Sequence, residues 1–242
     1  MAFKLCGMTE LLFLKDSYQK TCVSIIQRVG NQKTVWLDQT VLYPQGGGQP
    51  ADFGQLIRGN DVFSVVSVKK NGLDVAIEVD KIGLKDGESV ECRLDWKRRF
   101  ALMRMHTSAH VLAKVILDET GSLITGNQLG EAESRMDFNV TNFDSDTANS
   151  FIQKANGVLK QRLEITINFL KREEALLRPE LVRLKDIMPP NLPVWRIVGI
   201  GGFDVQADGG THVQNTIEVG EMELVRIENK GKQNRRIYWK LK

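Results

Sequence analysis

The sequence predicts an α+β protein in two parts: a small N-terminal β-barrel over residues 1–94 and a mixed α+β domain over residues 95–242. Three observations carry this reading. Short strand-like runs separated by turn signals fill the first part, the pattern of a small barrel. A long helical run opens the second part, bounded by a cap before it and a terminator after it. Beyond that run, helices and strands mix without a strict βαβ rhythm.

In the first part, Cys22–Ile26 and Lys33–Leu37 are strand-like and flank the turn signal Gly30-Asn31. Val62–Val68 alternates, and Asn71-Gly72 turns the chain into Asp74–Val79. Gly83 to Gly87 form a loop before the strand Ser89–Leu94. In the second part, Asp95 is the N-cap of a helix from Trp96 to about Thr120, which Gly121 ends. A strand over 131–140, a polar break at Asn142 to Asp146 and an amphipathic helix from about Asp146 to Leu163 follow. Glu164–Leu170 reads as a strand, and Lys171 to Lys185 as a helix interrupted at Pro179. Thr125 to Gln128, just past the helix that Gly121 ends, are polar, and a plain turn is one of two readings of them. Pro189-Pro190 is a loop, Val194–Val198 a strand, and Ile217 to Leu241 two strands joined through Gly231.

Composition bounds the function class. With 42% hydrophobic residues in 242, the chain can bury a core, which excludes a disordered protein. A net charge of +3 is too small to name a partner, so any basic face has to come from local clusters. Lys97-Arg98-Arg99 and Lys230 through Arg236 are the two candidates for phosphate contact, with solvated surface as the alternative. Cys6, Cys22 and Cys92 are scattered and odd in number, which argues for small core residues in a reducing, cytoplasmic setting. The N-terminus shows no secretory pattern, and no stretch approaches eighteen apolar residues, so no membrane partner is expected.

All three histidines fall in two short motifs. His106 and His110 in Met105-His106-Thr107-Ser108-Ala109-His110 lie four apart, which places both imidazoles on one face of a helical turn, roughly 6 Å apart. His212 closes Asp208-Gly209-Gly210-Thr211-His212. The two glycines let the backbone turn so that Asp208 and His212 face one point. Imidazole and carboxylate are both zinc ligands, so the four residues form a candidate set for one Zn²⁺ ion.

These motifs resemble the paired zinc motifs of the alanyl-tRNA synthetase editing domain. They are most similar to its free-standing relatives, the AlaX alanyl-tRNA editing proteins. Leu37–Pro50, with Gly46-Gly47-Gly48, is similar to the family's glycine-rich barrel segment, and Glu228–Ile237 to its C-terminal signature. The likeness runs through nearly the whole chain and suggests the medium-length class, without an aminoacylation domain. It implies an editing domain of the threonyl/alanyl-tRNA synthetase type.

One position departs. The family pattern has Cys where this chain has Asp208. In order of preference, Asp208 binds through oxygen, three histidines and water hold the metal, or metal binding has weakened. The resemblance further implies a deacylase that hydrolyses alanine tRNA mischarged with serine or glycine. Such an enzyme is needed because a pocket built for alanine cannot exclude glycine sterically and rejects an added hydroxyl only ~100-fold in comparable cases. Selecting serine needs a buried polar partner for its hydroxyl. Thr125, Asn127 and Gln128 are the substrate-binding candidates, Thr125 and Gln128 also for a catalytic role. Gly46, Gly47 and Gly48 join them as contributors at the cleft, against the plainer reading of a tight barrel loop. The competing functions are a non-hydrolytic tRNA-binding protein and a zinc hydrolase of small esters.

Overall fold

The computed structural model describes residues 8–72, 74–141, 144–182, 191–231 and 234–242. Cys6, Asn142, Pro189-Pro190 and the 183–185 end of the expected helix lie outside the described residues. The chain divides into two compact units, Met1–Phe100 and Ala101–Lys242.

The first unit holds β1 (Glu10–Leu11), β2 (Thr21–Gly30), β3 (Thr34–Leu37), β4 (Gln39–Thr40), β5 (Gly54–Arg58), β6 (Asp61–Asn71), β7 (Asp74–Val79) and β8 (Ser89–Leu94). Six of them close a barrel in the order β2-β3-β7-β6-β5-β8, with β8 pairing antiparallel to β2. The expected barrel is therefore present. Side chains alternate along β2, with Cys22, Ser24 and Ile26 inward and Val23 and Ile25 outward. Leu37, Leu56, Phe63 and Ile77 fill the interior beside the smaller Cys92, each of the four stabilising by roughly 1.5–3 kcal/mol. Cys22 and Cys92 sit opposite each other across β2 and β8 as small core residues. β5 has no strong sequence signal because it opens on a glycine. That glycine is required, since a Cβ at Gly54 would meet the Arg93 carbonyl oxygen at 2.3 Å.

The basic triplet needs correction. Arg99 is not a surface cation but fully buried. Its Nε donates to both Asp52 carboxylate oxygens, at 3.1 and 3.0 Å. Its other nitrogens reach the Ser17 and Val41 carbonyls at 2.9 and 2.5 Å. Asp52 in turn accepts the Tyr43 N–H at 2.7 Å. A buried charge survives only when paired and hydrogen-bonded, and this one is both.

The second unit is built around residues 101–120 of α1 (Trp96–Thr120), a helix that starts and stops where the sequence places it. The Asp95 side chain accepts the Arg98 N–H at 3.1 Å, and Gly121 leaves the helix at φ 70°. The rest comprises β9 (Ile124–Gln128), β10 (Ser134–Phe138), α2 (Ser145–Leu159), β11 (Ile165–Lys171), α3 (Arg172–Leu176), β12 (Val194–Ile200), β13 (Asp204–Ala207), β14 (Met222–Asn229) and β15 (Arg235–Leu241). Two antiparallel sheets result, ordered β14-β15-β10-β9 and β11-β12-β13. On the first, Trp239 Nε1 donates to Ser108 Oγ of α1 at 2.9 Å. Asn156 of α2 pairs with both backbone groups of Met222, at 2.9 and 2.8 Å, and so satisfies the start of β14.

Several elements differ from expectation. Residues 124–128 form strand β9, not a turn; its register with β10 shifts at Asp137/Phe138. α2 stops at Leu159 rather than Leu163, because Arg162 adopts φ 58° and Thr216 Oγ1 accepts the Leu163 N–H at 2.9 Å. The expected helix from Lys171 shrinks to α3 and a 3₁₀ turn at Pro179–Leu181. Proline there lacks a donor and pushes Arg178 out of the helical region. Among the described residues no helix is long and apolar enough to cross a membrane.

Candidate metal centre

His106 and His110 project from the middle of α1, and His212 arrives from the loop after β13, together with Asp208. The imidazole centroids of the three histidines lie 4.8, 4.4 and 4.5 Å apart. One ligand atom from each histidine and one from Asp208 all fall within 4.8 Å of one another. Asp208 Oδ1 is 3.5 Å from His106 Nε2 and 3.9 Å from His110 Nε2, and Oδ2 is 3.1 Å from His212 Nε2. The two sequence motifs therefore meet at one point. Three nitrogens and one oxygen gathered this closely are a donor set for a single ion, of the kind tetrahedral zinc sites use. The group can hold a metal ion.

The setting favours neutral rings. Burial pushes the His106 imidazole down to about 4; His110 and Arg196 act the same way and Asp208 opposes them. Burial likewise holds His212 well below its ordinary value. For Asp208, burial alone would raise the carboxyl, but the surrounding imidazoles of His106, His212 and His110 hold it well below the usual carboxylate range. Neutral imidazoles beside a carboxylate are the protonation states a metal requires.

A stability effect follows from His106. Between pH 6.5 and about 4 the unfolded chain binds a proton at this position that the folded chain refuses. Stability conferred above pH 6.5 is thus lost as the pH falls through that window. Melting curves of metal-stripped protein from pH 7 to pH 4 should show a falling midpoint, and His106→Gln should flatten part of the slope.

Neighbouring side chains that the sequence reading missed fix His110, His212 and Asp208. Thr107 Oγ1 lies 3.1 Å from His212 Nδ1 and accepts the Val213 N–H at 3.4 Å. The Gln206 amide lies 2.7 Å from His110 Nδ1 and donates to Asp204 Oδ2 at 2.8 Å. Asp208 Oδ2 accepts the Gly210 N–H at 2.6 Å, and Arg196 Nη1 donates to the Asp208 carbonyl at 3.0 Å. Outer partners of this kind orient metal-binding rings and raise affinity. The signal available in the sequence was Gln206, two residues before Asp208 on an alternating strand.

The remaining candidates are placed as follows. Thr125 is exposed and its hydroxyl donates to Asn234 Oδ1 at 3.2 Å. Asn127 pairs in register with Met136, on the face shared with buried Ile237. Gln128 is exposed and its side-chain oxygen accepts from Arg135 Nε at 3.1 Å. Gly46 to Gly48 lie in the first unit, in a loop closed by reciprocal Gly46–Gln49 backbone bonds of 3.1 and 2.9 Å. Gly47 and Gly48 have φ of 58° and 85°, which only glycine adopts freely. Of the C-terminal basic run, Arg236 holds Asp137 at 2.6 and 2.8 Å and Arg235 donates to Asn229 Oδ1 at 2.9 Å, so both guanidiniums have internal partners. Lys232 lies outside the described residues.

Known proteins share this arrangement of sequence. Residues 9–98 match the family described as class II (A) tRNA synthetases, and residues 195–238 the threonyl and alanyl tRNA synthetase second additional domain. The alanyl-tRNA editing protein AlaX-M of Saccharolobus solfataricus is 43% identical over 97% of this chain and 100% of its own. This chain belongs to the AlaX-M family. The AlaX-M protein of Methanosarcina barkeri is 41% identical, over 97% of this chain and 99% of its own. The alanine–tRNA ligase of Pyrobaculum aerophilum is 36% identical over 91% of this chain but only 25% of the ligase. Within the AlaX-M framework, the second-additional-domain match contains Asp208 and His212.

Proposed function

We propose that this protein is a trans-editing deacylase, which hydrolyses the ester joining serine or glycine to alanine tRNA, and that it works in the cytoplasm. The observation that supports this most is the convergence of His106, His110, Asp208 and His212 in a chain of the AlaX-M family. We take the functional division of the chain at residue 94/95, barrel before and editing domain after.

Zn²⁺ is the ion the donor set favours. Three imidazoles suit zinc, and a carboxylate oxygen is an accepted fourth ligand. When bound, zinc supplies Lewis acidity or a water of lowered pKa. The chain's own residues do the rest. Burial keeps the His106 and His212 imidazoles neutral, and Asp208, held well below the usual carboxylate range beside the histidines, is oriented by Gly210 and Arg196. Thr125, Asn127 and Gln128 provide hydroxyl and amide groups on one strand for recognising the amino acid. The Gly46–Gly48 turn offers bare backbone to the tRNA.

The test is deacylation of alanine tRNA charged with serine, glycine or alanine, beside metal analysis of the purified protein. Release of serine and glycine but not alanine, with about one zinc per chain, is the expected result. Binding of tRNA without turnover identifies a non-hydrolytic binder instead, and turnover of free small esters alone identifies a small-ester hydrolase.

A further inference from the structure

The sheet β11-β12-β13 carries one cross-strand row that leads away from the metal centre. Phe169 on β11 pairs with Arg196 on β12, and the Asp208 N–H donates to the Arg196 carbonyl at 3.1 Å. Opposed residues of antiparallel strands share a face, so Phe169, Arg196 and Asp208 project to the same side. Gln206, two residues before Asp208, is on that side too and touches His110. The side is therefore the one turned toward the histidines. The opposite face is covered, with Trp195 and Ile197 packed against Leu170, Ala175 and Leu181. At 4.7–4.9 Å per strand, Phe169 stands about 10 Å from Asp208, two strands away.

Phe169 is 49% exposed. A single exposed apolar side chain is ordinary. This one lies in the row of a metal ligand and is followed on its own face by the exposed cation Lys171. Val194, opposite Lys171, adds a further exposed apolar group. An aromatic face beside a cation is the surface that holds unpaired nucleotides, by stacking on the base and by charge on the phosphate. A nucleoside bridges the distance between an ester at the histidine cluster and a ring two strands away.

Resting on the editing function proposed above, we propose that Phe169 is the stacking platform for the terminal adenine of the tRNA and that Lys171 meets the adjoining phosphate. The platform holds the 3′ nucleotide, and through it the ester, beside the cluster, so it contributes to binding rather than to the chemical step. Sequence beyond that nucleotide is not read there, because stacking and phosphate contacts carry little sequence information.

The experiment compares wild type with Phe169→Ala, Phe169→Trp and Lys171→Ala. Each is measured for metal content, melting temperature and KM and kcat of deacylation. Each is also measured for affinity toward uncharged alanine tRNA with its intact end and with the terminal adenosine removed. Wild type is expected to prefer the intact tRNA. Phe169→Ala is expected to lose that preference and to raise KM about tenfold or more, with metal content and kcat held. Phe169→Trp restores both. Lys171→Ala lowers the salt dependence of binding by about one counterion. Full preference and unchanged KM in Phe169→Ala would overturn the platform. So would a loss accompanied by reduced metal content, which marks a structural role. If wild type binds the intact end better but deacylates nothing, the editing function falls while the platform stands on its binding data.

Discussion

Replacing His106 or His212 by alanine should cut deacylation by more than ~100-fold, the scale on which even outer-shell partners of a metal act. Bound zinc should fall with it. The barrel should remain folded, because both histidines lie in the second unit and the barrel interior is filled by its own apolar side chains. Zinc analysis, circular dichroism and the serine-release assay together read these three effects. Full activity in both variants would remove the metal-centred site. Asp208→Ala then separates the two ligand sets. Loss of zinc equal to the histidine variants makes the carboxylate a ligand, while retention leaves three histidines and water. Loss is the expected outcome, since Asp208 Oδ1 faces His106 and His110 and its other oxygen is tethered by Gly210.

The second large effect is on stability. Asp52→Ala is expected to destabilise the first unit by roughly 3–5 kcal/mol, the cost of leaving a buried charge without its partner. Arg99 would keep only the Ser17 and Val41 carbonyls, neither of which carries a compensating charge. Asp52→Ala also removes the acceptor of the Tyr43 N–H. Urea unfolding followed by circular dichroism measures the shift. The double variant Asp52→Leu/Arg99→Met should recover much of the loss, since an apolar pair of similar volume dispenses with the charge altogether. A midpoint unchanged in the single variant would show that the guanidinium finds water.

Much of this architecture was legible in the sequence because its signals are local. The i,i+4 spacing of His106 and His110, and the Asp95 and Gly121 boundaries, lie within a few residues of what they determine. The Gly209-Gly210 pair announced a change of chain direction, and across the bend there Asp208 Oδ2 meets His212 Nε2 at 3.1 Å. What escaped notice is set by distant partners. Strand β9 contains Gly126 and Asn127, poor strand formers, and its pairing with β10 leaves 3.2 Å between a Cβ at Gly126 and an Asp137 carboxylate oxygen. Arg99 reads as a surface cation until Asp52, 47 residues earlier, is seen to meet it. Thr107 and Gln206 acquire their roles only when α1 and β13 meet; the alternation that puts Gln206 on the same strand face as Asp208 is the one local sign, and Thr107 has none.

The surroundings of α1 have a last consequence, for exchange with solvent. Residues 105–113 of this helix are buried without interruption, flanked by buried Leu102, Met103, Val115 and Ile116. A helix enclosed on every side cannot fray in its middle, so its amides open to deuterium only when the whole unit unfolds. The segment bearing His106 and His110 should be the slowest-labelling stretch of the second unit, and because its amides report opening of the whole unit, loading with zinc should slow their exchange further.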